Sequence, residues 1–310
     1  MKMKDFGFYR GVNLGGWLSQ CDYSEDRLDN FITEKDIGVI AGWGLDHIRI
    51  PIDYNVLERA DGHDRIARAV EWAGKNGLKV VLDLHKTYGF SFDVGEKEDG
   101  FFVNEAFQEK FYALWEKLAE RFYAPSDIAF ELLNEVTDPG VIGAWNRIIA
   151  ECIRRIRRLA PDTLILVGSY WNNSPEAVKD LDAPADDRVI YNMHCYDPLP
   201  FTHQGAFWVP QLDINARVSF EEAGITEKLF EDNFASAIAT AQERGTALYC
   251  GEYGVIENAT PEDTVKWFKT INAVFEKHEI ARSVWSYRQM NFGLSDARLD
   301  GVRKELLRYL

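Results

Sequence analysis

The chain is short of positive charge. Its 310 residues carry 35 lysines and arginines against 50 aspartates and glutamates, a formal net charge of −15. A surface of that sign repels phosphate backbones and anionic headgroups, so roles on nucleic acid or on a membrane surface are disfavoured. Long apolar runs are missing as well, and nothing approaches the ~18 residues of a membrane span. The first eleven residues, "MKMKDFGFYRG", lack the apolar stretch of a secretory leader. The chain is therefore expected to be cytoplasmic, or secreted where a leader has been removed. Cysteine is scarce, and Cys21, Cys152, Cys195 and Cys250 form no C-x-x-C pair. Three of the four sit in apolar runs, which predicts buried thiols in a reducing compartment. Gly11, Gly15 and Gly16 have the wrong spacing for a dinucleotide loop, and no G-x-S-x-G, H-x-x-x-H or H-E-x-x-H occurs. Neither a metal nor a cofactor is expected. No linker, charge block or low-complexity segment divides the chain, so residues 1–310 are read as one domain.

What is present is alternation. Eight short apolar runs, at 11–16, 47–52, 79–85, 128–135, 163–169, 189–196, 247–252 and 282–287, are separated by helical patterns. Over 105–123, Phe107, Phe111, Leu114, Trp115, Leu118 and Phe122 fall on one helical stripe. Thr260-Pro261-Glu262 and Ser174-Pro175-Glu176 each set a capping hydroxyl before a proline and an acid. Near-continuously apolar strands alternating with helices predict an α/β fold, a parallel sheet closed into a (β/α)8 TIM barrel. An open, doubly wound sheet is the alternative.

Side chains alternate between the faces of a strand. That parity groups His47 with Arg49, Val81 with Asp83 and His85, Glu131 with Leu133 and Glu135, and Asn192 with His194 and Tyr196. The apolar set must meet the helices, so the polar set faces the barrel axis. It thickens toward the carboxyl ends of the strands, where this fold keeps its active sites. Two runs finish in acids: "FELLNEV" delivers Asn134 and Glu135, and "ALYCGEYG" delivers Glu252. Facing each other across one pocket, two carboxyls permit acid/base or nucleophilic work. The bland reading is two surface acids that end strands. Arg49 is placed to hold a carboxylate ionised, to pair with Asp83 or Glu131, or both. His85, Asn134, His194 and Tyr196 suit a polyhydroxylated ligand, with metal binding as the rival reading of the histidines and acids. Trp285, Tyr88, Phe90, Trp171, Phe201, Phe207 and Trp208 follow the same strand ends. Each alone is core material; together on these loops, their flat faces suit the C–H faces of sugars.

The segments "RGVNLGGWL", "HIRIPIDY", "VLDLH", "ELLNE", "YNMHCYDP", "LYCGEYGV" and "VWSY" resemble glycoside hydrolase family 5, the cellulase family of clan A. They occur in that family's order and span residues 10–287. "FITEKDI" and "FTHQ" are similar to its bacterial, clostridial-type endoglucanases. The resemblance implies a retaining hydrolase acting by double displacement on a β-linked glucan oligo- or polysaccharide, as an endo-β-1,4-glucanase or a mixed-linkage β-1,3-1,4-glucanase. Residue by residue, it implies Glu135 as acid/base and Glu252 as nucleophile. Arg49, His85, Asn134, His194, Tyr196 and Trp285 become the substrate-binding set, to which position adds Trp171 and Trp208. The charge on Glu252 is expected to raise the pKa of Glu135. A monomer is favoured. Lys86 departs from the pattern, since many relatives carry another histidine or an Asp/Asn there. Residues 198–225 also form a shorter segment than that branch's insertion. A β-mannanase, an exo-β-glucosidase or β-1,3-glucanase, and a non-hydrolytic glycan-binding barrel are the alternatives.

Overall fold

Eight parallel strands close on themselves in chain order, β1 pairing with β8. They are β1 Arg10–Asn13, β2 His47–Asp53, β3 Lys79–Lys86, β4 Ile128–Glu131, β5 Leu164–Val167, β6 Val189–Cys195, β7 Leu248–Tyr253 and β8 Ala281–Val284. Each expected run holds one strand. The computed structural model describes residues 2–93, 95–123 and 127–310.

Crossover helices at Glu34–Gly42, Gly62–Lys75, Glu105–Arg121, Ile142–Ile156, Glu227–Glu243 and Pro261–His278 surround the barrel. On Glu105–Arg121 the expected stripe is the buried one at Phe111, Leu114, Trp115 and Leu118, and Phe107 is partly covered. Three helix-borne tryptophans latch strand ends. The indole N–H of Trp115 donates to the Leu132 carbonyl (3.0 Å), that of Trp145 to Gly168 (2.9 Å), and that of Trp267 to Asp197 (2.9 Å). These bonds fix the backbone just past β4, β5 and β6, where the polar side chains stand.

Thr260 caps its helix as expected, accepting from the Asp263 amide. Ser174 does not. The segment after it, Pro175–Asp180, is a 3-10 helix, and the Ser174 side chain makes no capping bond. The chain enters it through three left-handed residues, Trp171, Asn172 and Asn173 (φ 51°, 57° and 58°).

Parity holds over most of the sheet. Ile48, Ile50, Val80, Leu82, Leu84, Phe130 and Leu132 join the core between strands and helices. Val81, Ala129, Leu164, Leu166, Ile190, Ala247, Tyr249 and Ala281 form a second cluster with Met3 and Phe8. The exception among the expected positions is Leu133, which sits in the outer core rather than on the axis. β4 stops at Glu131, so the alternation has no pleat to follow beyond it.

Candidate active site

Both acids reach the axis through irregular backbone. On β7, Tyr249 faces inward and Cys250 outward, so strict alternation would turn Glu252 out. The register slips instead: Met193 pairs with Cys250, and His194 pairs with Glu252. Gly251 is the extra residue of this bulge. Its amide donates to Asn192 Oδ1 (2.9 Å). A Cβ at Gly251 would lie 2.7 Å from the same oxygen, so the close approach requires glycine. Glu135 lies four residues beyond β4 with φ of 40°, a left-handed conformation that a non-glycine residue adopts at a cost. The left-handed turn at Trp171–Asn173 brings Asn172 to it, and Asn172 Nδ2 donates to Glu135 Oε2 (2.9 Å). Left-handed backbone clustered on one carboxyl is strain of the kind that accumulates at functional sites.

Arg49, fully buried, is the hub. It donates to both oxygens of Glu131 (2.7 Å each), to Glu252 Oε1 (2.8 Å), to Asn134 Oδ1 (2.9 Å) and to Asn13 Oδ1 (2.8 Å). Asp83 lies 3.1 Å from the same guanidinium. The two roles expected of Arg49, structural pairing and contact with a terminal acid, therefore coexist. Tyr196, just past β6, donates its hydroxyl to Glu252 Oε2 (2.9 Å). His194 Nδ1 is 2.8 Å from Glu135 Oε1 and 3.8 Å from Glu252 Oε2. Asn173 Nδ2 stands 3.3 Å from His194 Nε2. An amide N–H there selects the tautomer with its proton on Nδ1, aimed at Glu135.

Burial sets the protonation states. It pushes Glu135 up to about 7, against the pull of the Asn172 bond and the charges of His85 and Arg49. The expected cause, the charge of Glu252, is not what raises it: a carboxyl in a dry pocket suffices. Burial also pushes Glu131 up to about 7 despite Arg49. It pushes His194 down to about 3, so that ring is neutral. His85 goes the other way: burial opposes its charge, but Asp83 at 2.6 Å from Nδ1 outweighs burial and lifts it to about 9.

The aromatics divide. Trp285 is 7% exposed and lies parallel to the His85 ring, with centroids 5.8 Å apart. It shares a small cluster with Phe292, Tyr196 and Trp208. Trp171 is 49% exposed beside Asn172. Phe207 is exposed too, whereas Phe90 and Phe201 are buried core residues rather than sugar platforms. Tyr88 packs on the core and donates to Glu58 (2.7 Å). The structure adds Asn13 and Asn172 to the residues expected to face the site, among which parity already counted Glu131 and Asn192. Asn172 and its neighbour Asn173 carried a readable signal, since asparagine tolerates left-handed backbone.

Ligand atoms of Glu135, His194 and Glu252 lie within 4.8 Å of one another, and among the described residues no other group of acids, histidines and cysteines has such spacing. The donor set argues against a resident cation there, because Glu252 already faces the Arg49 guanidinium and a tyrosine hydroxyl, and Glu135 faces two N–H donors. The same spacing is informative for another chemistry. Inverting glycosidases keep their carboxyls ~6.5–9.5 Å apart and retaining ones about 5–5.5 Å; an oxygen of each acid within 4.8 Å is compatible with the shorter class.

The model of the cellulase family, glycosyl hydrolase family 5, matches residues 9–291. The chain belongs to that family. Cellodextrinase A of Ruminococcus flavefaciens is 56% identical over 287 residues, covering 90% of this chain and 85% of that protein. Endoglucanase C of Acetivibrio thermocellus is 34% identical, covering 98% of both. Among solved structures, Thermotoga maritima Cel5A in complex with mannotriose superposes with a TM-score of 0.83 at 25% identity, over 99% of each chain. This cellulase-family chain is thus a glycoside hydrolase, and the (β/α)8 barrel is the family's fold. Lys86 is 5% exposed and follows His85 at the end of β3.

Proposed function

We propose that this hydrolase cleaves β-linked glucan chains by double displacement, with Glu252 as nucleophile and Glu135 as acid/base. One Glu252 oxygen, oriented by Arg49 or Tyr196, attacks the anomeric carbon. The bond to the leaving oxygen breaks, and that oxygen takes the Glu135 proton. Glu135, now a carboxylate, removes a proton from water, whose oxygen displaces Glu252 and restores the original configuration. A value of about 7 for Glu135 suits a group that must give a proton in one step and take one in the next. Retention is general to the family.

The observation that carries this reading is the asymmetry of two acids within 4.8 Å: Glu252 sits against a cation, and Glu135 is raised by burial. Asn134 supports it. Its Oδ1 is taken by Arg49, while its buried Nδ2 has no partner among the described residues. An orphaned donor in a pocket is costly unless substrate satisfies it, and a hydroxyl of the attacked sugar is placed to do so.

The test is hydrolysis of lichenan, carboxymethylcellulose, laminarin and mannan, followed by proton NMR of the first-formed product. Cleavage of the first two with the β-anomer appearing first is expected. Mannan as the preferred polymer, or an α-anomer first, overturns the assignment.

A further inference from the structure

On this reading Glu135 hands its proton to the oxygen leaving the sugar that Glu252 attacks. The departing half of the substrate therefore lies on the side of β4 and β5, by Asn172 and Trp171. The retained half runs the other way, past Trp285 and His85 toward the mouth of β1, β2 and β3.

That side is built up. Gln20, after β1, lies with Oε1 3.3 Å from His85 Nε2 and donates from its own Nε2 to Asp93 (2.8 Å). The Phe92 ring meets the His85 ring edge-on at 4.9 Å. Lys86, at the end of β3, donates to both oxygens of Glu96 (3.0 Å each) and to the Tyr23 hydroxyl (3.2 Å). Asp53, from the end of β2, accepts from Tyr23 (2.6 Å) and from the Gln20 amide (2.9 Å). Glu98 accepts from Tyr54 (2.6 Å) and from the Gly89 amide (2.9 Å). Phe92, Asp93, Glu96 and Glu98 are thus fastened to the end of β3 and to the segments that follow β1, β2 and β3. Lys86 has a largely buried side chain, and desolvating an ammonium is expensive unless it is paired. It pairs with Glu96 at 3.0 Å, the acid that holds this segment in place, and lies 3.9 Å from buried Asp53.

We propose that residues 92–93 and 95–98 form the end wall of the retained side, so that the enzyme works on chain ends and keeps one or two glucosyl units there. Gln20 and Asp93 meet the terminal sugar, one hydrogen bond beyond His85. Lys86 is the positioning residue, holding the wall through Glu96. The inference rests on the glucan reading and on the roles given to Glu135 and Glu252.

The experiment is a time course on cellohexaose labelled at its reducing end, with hydrolysis of 4-nitrophenyl β-cellobioside alongside. The wild-type protein is expected to leave one or two unlabelled glucosyl units in its main early cut. Glu96→Ala and Lys86→Met should each raise the fraction of cuts that retain three or more units by about threefold, the scale of one ion pair. Glu96 is on the surface, so its variant reports even where Lys86→Met fails to fold. A wild-type main cut that retains three or more units overturns the proposal, as does a wild-type pattern in Glu96→Ala. No hydrolysis of the aryl cellobioside takes down the glucan reading and this inference with it; hydrolysis with an open cut pattern takes down the end wall alone.

Discussion

At the amino-terminal end of the barrel, Val81, Ala129, Leu164, Leu166 and Ile190 fill the axis, and Met3 and Phe8 close it from below. At the carboxyl-terminal end the same strands and the turns after them place Arg49, Asp83, Glu131, Asn134, Glu135, His194 and Glu252 in an interior just as buried. Within the lower cluster His47 meets Tyr249 at 2.8 Å and stands against Phe8. The lower half gains from removing apolar surface from water and asks little of geometry. The upper half takes charges out of water, which costs more than it returns unless every partner is present. It also holds Glu135 and Asn172 in left-handed backbone. Stability therefore belongs to the lower half, and chemistry to the upper.

Substitution in each half should separate the two properties. Arg49→Met leaves Glu131, Asp83 and Glu252 buried without their shared cation, and should cost about 3–5 kcal/mol of stability together with nearly all turnover. Phe8→Ala below should cost a similar ~3–5 kcal/mol and leave kcat/KM of the folded protein unchanged. Equilibrium denaturation with activity assays checks both; a catalytic loss in Phe8→Ala would break the comparison. Trp285→Ala tests the border. As the sugar's floor, Trp285 should contribute about 1–3 kcal/mol, by analogy with base stacking, read as a fall of roughly 5- to 150-fold in kcat/KM with little change in Tm. A large Tm loss with unchanged kcat/KM would move it to the core.

The pH dependence sharpens the same contrast. Activity should fall as pH rises through about 7, where Glu135 loses its proton. Its value in the folded state is raised above the ordinary 4.5, so between about 4.5 and 7 the folded chain binds more protons than the unfolded one. The contribution of Glu135 to stability then declines with rising pH across that window. Glu135→Gln, inactive, should be more stable than wild type by about 1–2 kcal/mol above pH 7, with the gain vanishing near pH 4. A Tm difference independent of pH would remove burial as the cause. The smallest effect is expected for Asn172→Ala. Losing one hydrogen bond to Glu135 should lower kcat/KM by about 3- to 10-fold and move the basic limb of the profile upward, since that bond holds Glu135 down.

The barrel was legible in the sequence because eight apolar runs keep their period. Parity rightly placed Arg49, Asp83, His85, Glu131 and His194 on the axis, since a strand's alternation is rigid while its ladder lasts. It failed where the ladder ends or slips. Leu133 lies past the end of β4; Glu252 does reach the pocket expected of it, but through the Gly251 bulge, which no periodicity announces. Asn172 was missed because its contact with Glu135 depends on three consecutive left-handed residues. The source of the Glu135 shift was misread because a sequence shows charges readily and burial poorly.

The central claim, that Glu252 and not Glu135 bonds to the sugar, has a direct test. Glu252→Gly should be inactive on an aryl β-cellobioside, recover turnover with sodium azide, and release the α-glycosyl azide, because azide enters from the vacated face. An α-azide from Glu135→Gly, or a β-azide from Glu252→Gly, would contradict the assignment.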